Sequence, residues 1–352
     1  MNILFIKLGA IGDVVQSAVA VKAFRARNPG CRLDWVAGAH TRELVRAFGV
    51  ADNVIAVDDS GFYKPSLTGK VGALLQAIRV VATRVRYDKV VVAYVDRRYR
   101  WIALGVSARE VVSFDRNAAR PSPIHHRSRV HEYWRLLSDG DSEPIDIAGV
   151  TRSLGDDLLA RIGAVKFTFP RPYVVLAAGG AKNQLREDGL RRWPIERYRT
   201  VAERLITQGL DIVLVGTESD RWVCGAMEGL PVHDLIGKTS LIDLVPVLHH
   251  AEAIVGNDSG VLHLAALTGT GIVGLFGPTP ANAFIPLGRA RTVALQEGNK
   301  VSCCPCYDGK NYAPCSRAVC LEAISVERVL AALASVCGLY KARELELQAP
   351  QR

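Results

Sequence analysis

The sequence predicts an α/β protein built on two doubly wound parallel sheets. Three observations carry this. Apolar runs of strand length alternate with helix-period patterns along the chain. Several runs end in glycine followed by a polar residue, as at the carboxyl ends of parallel strands. A stretch rich in Gly, Pro and acid, residues 138–172, divides the alternation into two halves. With 352 residues, the chain is long enough for two domains of ordinary size.

The elements follow in order. "NILFIKL" is a strand, and "VVQSAVAVKAFRAR" is a helix with its apolar residues on one stripe. "RLDWVAG" and "KVVVAYV" are further strands. Past the divide come "YVVLAAG", "RYRTVAERLITQG", "DIVLVG", "LIDLVPVLHHA", "EAIVGN", "GVLHLAALTG" and "GIVGLFG". We therefore expect a first domain over 1–169, a second over 170–325, and a C-terminal helix and tail over 326–352. Two such sheets facing each other leave a central cleft for a ligand.

Composition narrows the class. The chain is 49% hydrophobic and 22% charged, which is globular and not disordered. Its net charge is +9, and residues 84–135 hold twelve Lys/Arg against five Asp/Glu. Such a segment is either a solvated surface or a face for phosphates, anionic headgroups or nucleic acid. No nucleic-acid-binding motif accompanies it, so nucleic acid is not expected as a partner. No segment nears the roughly 18 apolar residues of a membrane span. "MNILFIKLGAIGD" lacks a basic n-region and meets Asp13 early, unlike a secretory signal. Eight cysteines without such a signal argue for reduced thiols in a cytoplasmic protein.

Five loops carry candidate chemistry. In "KLGAIGDVV", Gly9 and Gly12 turn the chain from strand to helix, and Asp13 stands where the helix begins. The pattern is G-x-x-G-D, so the dinucleotide fingerprint G-x-G-x-x-G is missing. Asp13 is either a helix cap or a carboxylate that takes a proton from a hydroxyl. In "LAAGGAKNQLREDGLRRWPIERY", a strand ends at Gly179-Gly180 and a basic loop follows with Lys182, Arg186, Arg191 and Arg192. Backbone amides plus cations suit a diphosphate. In "LVGTESDR", Glu218 follows a strand end and suits a ribose, or is a helix-terminal acid. In "VGNDSGVLHLAA", Ser259 and Gly260 open a helix, Asp258 caps it or binds sugar hydroxyls, and His263 is core or ligand contact. "GLFGPTP" ends a strand at the Gly277-Pro278-Thr279 turn.

Together "FIKLGAIGDVVQSAVAVKAFR", "RRWPIERY", "LIGKTSLIDLVPVLHHAEAIVGNDSGVLHLAA" and "GLFGPT" resemble, in order, the motifs of glycosyltransferase family 9, the ADP-heptose lipopolysaccharide heptosyltransferases. The resemblance implies a GT-B fold, two facing Rossmann-like domains, and an inverting, metal-independent transfer. Asp13 matches the family's proposed base, and Arg191 its diphosphate contact. Glu218 looks like its ribose acid. Asp258, Ser259, Gly260 and His263 match its donor signature, and Gly277, Pro278 and Thr279 its sugar-side turn. Small hydroxyl residues of the phosphate loop are replaced by Gly179, Gly180 and Ala181, so Lys182 or Arg192 would share the role of Arg191.

The implied partners are an ADP-heptose donor and an anionic lipopolysaccharide inner-core acceptor, met peripherally at the inner membrane, with no cofactor for catalysis. Basic segment 84–135 would then grip the glycolipid. The alternatives are a nucleotide-sugar epimerase on the same scaffold and a non-catalytic nucleotide- or nucleic-acid-binding module.

One cluster stands apart. In "CCPCYDGKNYAPCSRAVC", Cys303, Cys306, Cys315 and Cys320 have spacings at which thiolates hold a structural zinc or iron. Reduced thiols or reversible disulfides are the other reading.

Overall fold

A strand covered on both faces must be apolar along its whole length, and the runs predicted from sequence form such strands. The computed structural model describes residues 1–63, 66–82, 85–114, 127–138, 140, 144–163, 165–180, 189–288, 291–307 and 312–339. The chain divides into two compact units, Met1–Ile162 and Gly163–Arg352. Among the described residues each unit holds one parallel sheet, as expected of doubly wound domains.

The first unit runs β1 (Asn2–Ile6), α1 (Ile11–Arg27), β2 (Arg32–Gly38), α2 (Arg42–Phe48), β3 (Asn53–Val57), α3 (Leu67–Val81), β4 (Arg86–Val92), β5 (Ser107–Ser113), α4 (Arg129–Leu137) and α5 (Ile147–Arg161). The sheet order is β3-β2-β1-β4-β5. Central β1 is buried from Ile3 to Ile6. Phe5 pairs with Trp35 across β1 and β2, and their rings meet edge-on at 4.8 Å. The Trp35 indole then donates to the Lys7 carbonyl at 3.0 Å, fixing the backbone just past β1. Phe24 of α1 packs edge-on against Trp134 of α4 at 6.3 Å.

The basic segment 84–135 is not one outward face. Lys89 is buried with its ammonium on the Leu137 carbonyl at 2.8 Å, and Arg135 pairs with buried Glu132. A strand or helix shared with the core turns part of its charges inward, where each needs a partner. Arg97 and Arg98 remain outside, next to exposed Trp101 and Leu104.

The second unit runs β6 (Tyr173–Ala177), α6 (Ile195–Thr207), β7 (Asp211–Leu214), α7 (Trp222–Ala226), β8 (Val232–Asp234), α8 (Leu241–His249), β9 (Ala253–Asn257), α9 (Gly260–Ala266), β10 (Gly271–Leu275), α10 (Ala281–Phe284), β11 (Thr292–Leu295), α11 (Val319–Glu322) and α12 (Val326–Val336). The order is β11-β10-β9-β6-β7-β8. Trp193 is buried against Tyr198, ring centroids 5.0 Å apart, and its indole donates to the Ile324 carbonyl at 3.0 Å. Helix α12 is capped by Ser325 and buries Val329 and Leu333 in the same core. It therefore packs as part of the second unit. No helix among the described residues is long and apolar enough to cross a membrane.

Candidate active site

The parallel strands of each unit end at one edge, and the candidate residues cluster at those edges. In the first unit Ala10 is the residue at the α1 cap, so Asp13 lies in the first turn and is not the cap. Its carboxylate meets the Lys7 ammonium at 2.9 Å. Lys7 is buried, whereas a third of the Asp13 side chain stays exposed. Burial pushes the Asp13 carboxyl up. The charges of Lys7 and Arg129, with hydrogen bonds from Lys7 and Tyr133, outweigh it and hold the group below the usual carboxylate range. Burial in turn pulls the Lys7 ammonium down, against the opposing effect of Asp13. The Tyr133 phenol is pushed well up, first by burial and then by Asp13.

In the second unit one turn gathers most of the predicted residues. The Arg191 guanidinium donates to the Asp258 carboxylate at 2.7 Å and to the Asp258 carbonyl at 2.8 Å. The Thr279 hydroxyl donates to the same carboxylate at 2.8 Å. The Asp258 side chain therefore does not cap the helix; it ties the β9 end to the Gly277-Pro278-Thr279 turn and to Arg191. Ser259 is the α9 cap residue but makes no side-chain cap bond, and Gly260 begins the helix. His263 is buried within α9. Arg192 donates to the Gly180 carbonyl at 3.0 Å and lies over the Trp222 ring at 5.1 Å. Lys182 lies outside the described residues.

Glu218 points into solvent, and its carboxylate accepts from Nε and Nη2 along one edge of the Arg221 guanidinium at 2.7 and 2.9 Å. That clamp, foremost, holds its carboxyl below the usual range. Its neighbour Asp220 is the buried one. Asp220 accepts from the Gly180 amide and from the Thr217 amide and hydroxyl, each at 2.8 Å. A Cβ on Gly179 would fall 2.5 Å from the Asp220 carboxyl carbon, so only glycine fits there.

Two residues escaped the sequence reading. Asn257 is fully buried. Its amide oxygen accepts from the Trp193 amide (2.9 Å) and the Tyr198 hydroxyl (3.2 Å), and its nitrogen donates to the Ala178 (3.0 Å) and Gly179 (3.1 Å) carbonyls. The signal was an amide side chain inside an otherwise apolar run. Cys304 is the other. It is hydrogen-bonded to Cys320 and to the Gly277 carbonyl, the latter at 3.1 Å. Cys303, Cys304, Cys306, Cys315 and Cys320 line one small cavity beside Leu190 and Pro278.

The expected set Cys303, Cys306, Cys315 and Cys320 lines this cavity together with Cys304. Cys303 and Cys315 face solvent, while the inward thiol is Cys304. Among the described residues no three His, Cys, Asp or Glu side chains are grouped to hold a metal ion.

Comparison with known proteins gives a consistent family. The family description "Glycosyltransferase family 9 (heptosyltransferase)" matches residues 91–313. Lipopolysaccharide heptosyltransferase 1 of Pseudomonas aeruginosa is 25% identical over 320 residues, 87% of this chain and 86% of that protein. Lipooligosaccharide heptosyltransferase 2 of Haemophilus influenzae is 35% identical over 119 residues; the match spans 32% of this chain and about a third (34%) of that relative's length. The solved structure of Escherichia coli ADP-heptose lps heptosyltransferase II superposes with a TM-score of 0.67 at 20% identity, covering 98% of this chain and 100% of that one. That likeness shows the GT-B fold class.

Proposed function

The chain belongs to glycosyltransferase family 9, the heptosyltransferases, and from that premise we propose that it moves a heptose from ADP-heptose to a lipopolysaccharide inner-core acceptor with inversion. The observation that carries the reading is Asp13: a carboxylate kept ionised, oriented by Lys7 at 2.9 Å, and still partly exposed. Displacement at an anomeric carbon needs such a base on the acceptor hydroxyl. It also needs a stabilised diphosphate leaving group on the opposite face of the sugar.

We assign that second task to the edge of the second unit. Arg191 and Arg192 supply positive charge, and the Ser259 and Gly260 amides supply donors. Asp258 keeps Arg191 and the Thr279 turn in register. Glu218 and His263 complete the donor site in this reading, with Glu218 toward the ribose and Lys182 a further cation. The acceptor hydroxyl gives its proton to Asp13 as the new C–O bond forms, and the bond to the diphosphate breaks with its electrons. The exposed Trp101 and Leu104 beside Arg97 and Arg98 suit contact with an anionic glycolipid at the inner face of the membrane.

The mechanism routes no step through a cofactor. The thiols of Cys303, Cys304, Cys306, Cys315 and Cys320 line one small cavity, and any structural ion held there would lie apart from the reaction.

The test is nucleoside diphosphate release from a panel of ADP-, UDP- and GDP-sugars with and without truncated lipopolysaccharide. Release is expected with ADP-heptose and acceptor together. Conversion of the sugar without acceptor would replace this reading with an epimerase. Salt-sensitive binding to nucleic acid without any turnover would replace it with a binding module.

A further inference from the structure

We propose that Lys7 is the positioning residue of the Asp13 base, held in an aromatic cage by Tyr94 and Tyr133; the inference rests on the reading of Asp13 given above. The geometry is unusual for a lysine. Its side chain is 4% exposed, and long charged side chains are almost never so deeply buried without a partner. The Lys7 ammonium reaches the Asp13 carboxylate at 2.9 Å and the Ala93 carbonyl at 3.3 Å. It lies 4.2 Å from the centre of the Tyr94 ring and 5.4 Å from that of Tyr133. Ring faces attract a cation while excluding water. Those contacts fix where the ammonium sits, and the ammonium fixes the carboxylate.

The backbone is fixed with equal care. The Lys7 amide donates to the Val36 carbonyl at 3.1 Å, and its own carbonyl accepts the Trp35 indole at 3.0 Å. The Tyr94 hydroxyl accepts from the Leu8 and Gly9 amides at 2.9 and 3.2 Å and donates to the Gly9 carbonyl at 3.1 Å. One tyrosine thus both cages the ammonium and sets the loop from which α1, and with it Asp13, departs.

Three groups face Asp13, Lys7 beyond β1 and Arg129 and Tyr133 on α4, while Tyr94, beyond β4, faces the Lys7 ammonium. Both cations favour the ionised carboxylate. A proton taken from the acceptor neutralises Asp13 and leaves the buried ammonium without its counter-charge. The protonated state is therefore short-lived, and the base is returned charged for the next turnover. Basicity is traded for orientation and readiness.

Three variants and the wild type test this. Lys7→Met should lower kcat at least about 30-fold, with the donor KM within about 2-fold of wild type. Its acid limb of kcat/KM should move up by more than one pH unit, because Asp13 loses its nearest cation. Lys7→Arg should return the acid limb toward wild type. Equal acid limbs in wild type and a folded Lys7→Met would overturn the role of Lys7.

Should Lys7→Met fail to fold, carboxyl 13C NMR of the wild type decides, with Asp13 assigned from its absence in Asp13→Asn. Asp13 is expected to stay ionised from pH 8 down to about 4.5, above the ordinary aspartate value of about 3.9. Titration within that window would overturn the proposal. An Asp13→Asn protein with near-full turnover would instead sink the base reading itself, so the two failures are separable.

Discussion

Arg191 and Asp258 are joined twice, through the carboxylate at 2.7 Å and the backbone carbonyl at 2.8 Å. They are 67 residues apart in sequence, and both side chains are largely buried. Thr279 completes the same hub. A cation assigned to a phosphate thus has a carboxylate at its back, which aims the guanidinium and limits its freedom.

Removing one partner of a pair this buried leaves the other charge uncompensated, at a cost of about 3–5 kcal/mol. Asp258→Ala should accordingly lower the thermal midpoint and raise the donor KM more than 10-fold. A double-mutant cycle with Arg191→Ala should give a coupling of about 0.5–3 kcal/mol. Additive effects would show that the ion pair is idle.

Asn257→Leu keeps the volume and removes the hub. It strands the Trp193 amide, the Tyr198 hydroxyl and the Ala178 and Gly179 carbonyls. Buried groups left unpaired cost about 1–3 kcal/mol each. A loss of about 3 kcal/mol or more, a fall of roughly 6–12 °C in Tm, is expected by calorimetry. A shift under about 2 °C would contradict the hub.

The hydrogen bond from Cys304, first, holds the Cys320 thiol down to about 7, while burial opposes it. The thiolate is the reactive form, so alkylation of Cys320 should rise with pH and reach half its maximum near pH 7. Cys304→Ala should move that midpoint up toward about 8.5. Burial, then neighbouring thiol charges, push Cys315 up, so it should lag at pH 7 despite its exposure. Peptide mapping by mass spectrometry reads both sites.

Metal analysis of purified protein tests the cysteine loop: fewer than about 0.1 equivalents of zinc or iron would leave Cys303, Cys306, Cys315 and Cys320 as thiols. A stoichiometric metal that resists dialysis would assign them as its ligands.

Much of the site was legible because its parts are local. The G-x-x-G-D turn, the strand-ending Gly179-Gly180 and the N-D-S-G turn each declare themselves within a few residues. Their partners do not. That Asp13 would face Lys7 follows from how the chain leaves β1 and re-enters α1 under Tyr94. That Glu218 would be clamped by Arg221 while Asp220 turned inward depends on where Gly180 passes. The expected basic face lost Lys89 and Arg135 to the interior for the same reason. Cysteine spacing pointed to four thiols, whereas packing against Gly277 brings in a fifth, Cys304, that spacing did not single out.

By itself the sequence determined the two parallel sheets, their central strands and the loops that bear the chemistry. Periodicity and turn residues act over a few positions, and they need no distant neighbour to be read. Only the tertiary structure decided which charge meets which. Strand register and helix packing bring together side chains far apart along the chain, and a buried ion takes whatever partner lies within about 3 Å.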